Sequence, residues 1–171
     1  LSDGVVTVSR TGTVFAYSAG SSSLVTVVKE GQTWRAKTSV IKDFQPSGPL
    51  SMTAVGDKPV IYDQSGNTLV LPGGKLRDLA EEHVTGAVLQ DPGDEAASVL
   101  LATDSELVAV SLNGKSVERQ PASDAGAKGN PAAPVFHNGC SYGAWAGSGA
   151  FVRTCTDKSR NQAQTVPTLA E

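Results

Sequence analysis

Residues 55–74, VGDKPVIYDQSGNTLVLPGG, decide how the chain is read. An apolar run (59–62) and a second one (69–71) flank a polar stretch rich in Asp, Gly and Asn. Short β-favouring runs bounded by such residues predict strand, turn, strand. The outline recurs three more times. Residues 13–17 turn through a Ser-rich stretch into 24–27, residues 106–110 turn at Asn113-Gly114 into 116–119, and residues 141–145 turn at Gly147-Ser148-Gly149 into 150–153. A further apolar run precedes each pair, at 5–8, 50–55, 99–102 and 133–136. Val14, Val60, Val108 and Tyr142 occupy equivalent points and lie 46, 48 and 34 residues apart. Several short strands in a unit of about 40–50 residues is the pattern of propeller blades.

The expected fold class is therefore all-β and β-propeller-like, with about four blade-type repeats across residues 1–155 and a polar tail at 156–171. A β-sandwich is the competing architecture, because ten to fourteen short strands also fill two packed sheets. Composition agrees with either. Apolar residues make up 39% and charged residues 18%, with 18 Gly and 9 Pro marking many turns. The net charge of −3 is scattered, so the clustered basic footprint that nucleic acid requires is missing. No stretch approaches the roughly 18 apolar residues of a membrane-spanning helix. A start at Leu1 and a polar ending fit a segment of a parent chain with further domains.

Residues 31–49 hold one more strand and a crossing loop. Residues 75–84 offer the one plausible helix, with Leu76, Leu79, Ala80 and His83 at helical spacing, although a segment connecting blades fits as well. Asn113-Gly114 predicts a two-residue hairpin with positive φ at both positions. Residues 121–134, without an apolar side chain larger than Ala, predict a long exposed loop.

The two cysteines can be tested against strand register. With the turn at 147–149, Trp145 faces Phe151, and Cys140 and Cys155 fall one residue from directly opposite. A bulge at a glycine would bring them together. Such a bridge would add about 3 kcal/mol and favours an oxidising compartment.

The repeats at Val55–Asp63, Asn67–Pro72, Val99–Thr103 and Leu107–Leu112 resemble propeller regions of large exported proteins of high-GC Gram-positive bacteria that carry fibronectin type III modules. The resemblance spans residues 4–155, without the Trp-Asp and Gly-His signatures of one propeller class or the metal and quinone ligands of others. It implies an extracellular or cell-surface scaffold that binds a protein or glycan ligand.

Chemistry is sparse. Neither His83 nor His137 has a second metal ligand at local spacing, and His137 is kept as a binding candidate because it ends a strand. Asp91, Asp94 and Glu95 cluster at a turn but lack the alternating calcium-loop pattern, so a solvated acidic turn is favoured over a calcium site. There is no Gly-x-Ser-x-Gly, and Gly73-Gly74-Lys75 lacks P-loop spacing. Trp145 reads first as a core residue and second as an aromatic platform for a ligand, which requires it to be exposed. No cofactor and no catalytic activity are expected. The alternative is a fragment of a β-propeller glycan-cleaving hydrolase whose catalytic carboxylates lie outside this stretch.

Overall fold

A computed structural model describes residues 4–84, 86–122 and 129–165. It is all-β: four antiparallel sheets, each of four strands. The first holds β1 (Gly4–Val8), β2 (Val14–Ser18), β3 (Ser23–Glu30) and β4 (Thr33–Val40). The second holds β5 (Leu50–Val55), β6 (Lys58–Asp63), β7 (Thr68–Leu71) and β8 (Lys75–Asp78). In the third lie β9 (Val88–Leu89), β10 (Ser98–Ala102), β11 (Glu106–Ser111) and β12 (Val117–Pro121). The fourth is built from β13 (Val135–His137), β14 (Cys140–Trp145), β15 (Ala150–Cys155) and β16 (Gln162–Thr165). Every sheet is a simple meander. Two compact units result: Leu1–Thr85 with Pro92–Glu95, and Gly86–Asp91 with Ala96–Glu171.

The repeat is visible in its turns. Ser18 pairs with Ser23, Asp63 with Thr68 and Trp145 with Ala150, leaving four residues in each loop. The last loop residue is left-handed in all three: Ser22 at φ 50°, Asn67 at 50° and Gly149 at 68°. In the third sheet the Ser111 amide donates to the Ser116 carbonyl (3.0 Å), which again encloses four residues.

That last loop corrects the two-residue turn expected at Asn113-Gly114. Of the pair, Gly114 alone takes positive φ. Instead the Ser111 hydroxyl accepts from the amides of Lys115 (3.1 Å) and Ser116 (2.9 Å) and organises the longer loop. The helix expected at 75–84 is also absent. Lys75–Asp78 pairs with β7, placing Leu76 beside Val70, and residues 80–83 form a turn. An unmatched sheet edge satisfies that backbone better than a short helix would. The polar tail starting at 156 is a third correction. Residues 162–165 complete the fourth sheet against β15, and the Asn161 side chain accepts from the Cys155 amide (2.7 Å). Of the loop expected at 121–134, residues 123–128 lie outside the described residues; Pro121 ends β12, and Pro131 bridges to Trp145.

In the first unit, Tyr17, Ile41, Phe44, Ile61 and Val70 form the core between the first two sheets. Its hairpins are fastened by two aspartates. The buried Asp63 carboxylate accepts from the amides of Ser47 (2.8 Å), Ser65 (3.1 Å) and Gly66 (3.1 Å) and from the Ser47 hydroxyl (3.1 Å). Burial alone would raise its pKa, but those donors outweigh it and hold the carboxyl below the ordinary range. A Cβ on Gly66 would come within 2.5 Å of that carboxylate, so this position requires glycine. Asp57 links the β5–β6 turn to the β1–β2 turn by accepting from Thr11 and Ser9, which lowers its pKa.

Candidate functional site

The site is built from strand parity in the second unit. In the third sheet, Leu100, Ala109 and Glu118 are cross-strand neighbours on one face, as are Ala102, Leu107 and Gln120. The fourth sheet presents Phe136, Ser141 and Thr154 in one row and Gly143 with Val152 in the next. At the deep end Trp145, fully buried, packs with Leu100, Ala102, Leu107 and Val152. Its indole N–H donates to the Thr103 carbonyl (2.7 Å). A Cβ on Gly143 would meet the Trp145 ring at 2.9 Å, so the ring occupies the space that a side chain there would need.

At the other end the two faces part. They leave a groove of about 570 Å³ with an apolar floor of Leu100, Leu107 and Phe136. Glu118, Gln120, Ser141, Thr154, Lys158 and Asn161 supply its polar lining. The Thr154 hydroxyl is buried and has no hydrogen-bond partner among the described residues. β12 is an edge strand, and its residues 118–120 all line the groove. A second groove, of about 690 Å³, opens in the first unit beside Phe44, Pro46, Pro49 and Leu50. It is lined mostly by Gly, Pro and apolar side chains and offers little to orient a ligand.

The candidates read from the sequence fall elsewhere. Trp145 is no platform: it is fully buried because it closes the core of its unit. Asp94 pairs with Arg10 (3.0 Å) and Glu95 with Lys58 (2.9 Å), so the acidic turn is a clasp. The Gly93 amide donates to the Ala54 carbonyl (3.0 Å) and its carbonyl accepts from Gly56 (3.1 Å), which fixes that clasp on the β5–β6 hairpin. Asp91 is exposed outside the groove. His137 is exposed at the end of β13, and its Nε2 lies 2.9 Å from the Asn138 amide nitrogen. Among the described residues no three His, Cys, Asp or Glu side chains are grouped to hold a metal ion.

Cys140 and Cys155 are bonded, with S–S 2.07 Å. They sit directly opposite each other without a bulge, because the loop is 146–149 and Trp145 faces Ala150 rather than Phe151. Phe151 instead contacts Tyr142, with ring centroids 6.2 Å apart. The residues missed by sequence reading, Glu118, Gln120, Ser141 and Thr154, carried one usable signal. With the register corrected by that one residue, Trp145 faces Ala150, and alternation along β15 puts Val152 and Thr154 on that same face.

Neither a protein-family model nor a curated protein matches the chain. Among solved structures it is similar to a protein of unknown function from Bacteroides caccae, at 12% identity and a TM-score of 0.46. The match covers 94% of this chain and 59% of that one, so the chain spans under two thirds of that protein's length. Among the described residues no helix is long and apolar enough to cross a membrane.

Proposed function

We propose that this chain is a recognition module of an exported or cell-surface protein, binding an extended protein segment in the groove between its third and fourth sheets. The observation that carries the reading is that groove: an apolar floor, a rim of hydrogen-bonding side chains and an edge strand running along it. An edge strand supplies main-chain hydrogen bonds to an added strand, and alternate pockets beside it read side chains. A glycan is the second reading, supported by the hydroxyl and amide lining. It is disfavoured because Trp145, whose indole would give the broadest platform for a sugar, is buried, which leaves the smaller, half-buried Phe136 ring on the floor. Among the described residues a single carboxylate, Glu118, lines the groove, whereas glycoside hydrolysis normally uses a pair. This supports binding over cleavage. The four meanders with matching turns are compatible with the propeller reading of the repeats, a sandwich accounts for them at least as well, and the disulfide supports an oxidising location.

Selection of peptides from a displayed library against the purified chain tests the proposal. Selected peptides should shift amide resonances of residues 117–120 and 153–156, and Ala109→Trp, which fills the groove, should weaken them at least tenfold. Shifts confined to other surfaces, or no selection above background, would reject it.

A further inference from the structure

The first sheet leaves an apolar face open to solvent. Cross-strand register places Val8, Val14, Val27 and Ala36 in one row across its outward side. Val6, Ala16, Val25 and Thr38 make the next row. Lys29 and Trp34 pair at the rim. Val6, Val8, Trp34 and Val40 are 66%, 50%, 60% and 63% exposed. The opposite face packs Phe15 and Tyr17 into the core at 2% each. Strands with one wet face normally alternate apolar and polar residues, whereas strands covered on both sides read as continuous apolar runs. VVTV in β1 and LVTVV in β3 are of the second kind. The neighbouring second sheet shows the covered condition: Val60, Ile61, Tyr62, Leu69, Val70 and Leu71 project to both faces, and none exceeds 3% exposure.

We infer that this face is a self-association surface, on which two copies of the chain pack their first sheets face to face about a two-fold axis. A flat, aliphatic, four-strand face is matched by another sheet rather than by a peptide or sugar, since paired sheets interdigitate at about 10 Å. The same patch on both partners is the isologous arrangement of most dimers. Charge permits it: the two rows carry no ionisable side chain, Lys29 stands at the rim, and the net charge is −3. Strands of five to eight residues, about 4.8 Å apart and rising about 3.3 Å per residue, give a face of about 410 Å². Two such faces bury about 800 Å², the size of a weak, transient interface rather than a permanent one. The dimer is therefore weak and forms in a concentration-dependent way.

Sedimentation equilibrium from about 1 to 500 μM tests this. The mass should rise from 17.6 kDa toward twice that value. Val25→Thr with Val27→Thr preserves strand propensity and should weaken association at least tenfold with unchanged far-UV circular dichroism. Should that pair disturb folding, Val6→Lys puts a charge into the apolar face from an already exposed position and should have the same effect. A mass that stays monomeric throughout overturns the inference, as does a dimer indifferent to these substitutions. Shielding of Trp34 from acrylamide only when a longer polypeptide supplies an adjoining repeat would likewise overturn it, in favour of that occupant.

Discussion

Two hairpins of the same design are held shut by different means. The β6–β7 and β14–β15 hairpins each enclose four loop residues and end the loop in left-handed backbone. In the first, a buried carboxylate gathers three amides and a hydroxyl. In the second, a disulfide joins directly opposed residues at the far end of the strands. A hydrogen-bonded lock acts in the folded chain and depends on ionisation and close approach. A covalent lock acts on the unfolded chain as well, by restricting it, and depends on redox state.

Removing the carboxylate should do the most damage. Asp63→Ala leaves several buried donors without an acceptor, and about 3–4 kcal/mol should be lost in denaturant titration, with Asp63→Asn recovering part of it. A loss below about 1 kcal/mol would show that the loop holds itself. Opening the disulfide comes next, at about 3 kcal/mol for a loop of this length. Hydrogen exchange of the reduced protein should rise first in β14 and β15 and leave β6 and β7 unchanged; uniform loosening would erase the distinction between the two locks. Gly143→Ala drives a methyl group against the Trp145 ring and should cost about 2 kcal/mol in the second unit while sparing the first. A quenched or shifted Trp145 emission would report it.

The smallest effect is on pH dependence. Asp63 has a folded pKa below its unfolded value, so its contribution is fully present above the unfolded pKa near 4 and is lost as pH falls through the folded one. Stability of the wild-type chain should decline through that acid window, and Asp63→Asn should flatten the decline. Equal slopes in both proteins would place the acid sensitivity elsewhere.

Much of this comparison was legible in the sequence. Alternating apolar runs and their Ser, Asp, Asn and Gly punctuation located all four central hairpins, because strand period and turn chemistry are local properties. The fourth strand of a sheet was harder to read. β4 is exposed at all eight positions and β16 is polar, so backbone pairing with a neighbour specifies them more than their own side chains do. Leu76 and Leu79 mimic a helical face, yet β7 offers an edge that the sequence of 75–78 cannot reveal. The groove failed to show for a related reason. Its polar residues come from β10, β12, β14, β15 and the segment after them, and a register error of one residue is enough to assign Phe151 to Trp145 and hide the role of Thr154.

The clasp formed by Pro92–Glu95 bears on the order in which the protein is made. Those four residues belong to the first unit but are translated after residues 86–91, which belong to the second. Until Gly93 emerges, the Ala54 carbonyl and the Gly56 amide lack their partner and Arg10 lacks Asp94. At about 5–20 residues per second the delay after residue 85 is about one second. The first unit therefore cannot be finished before the second has begun. A polypeptide released at residue 85 would lack its own last fastening, and a separate peptide spanning 92–95 would have to supply it without the advantage of being tethered nearby.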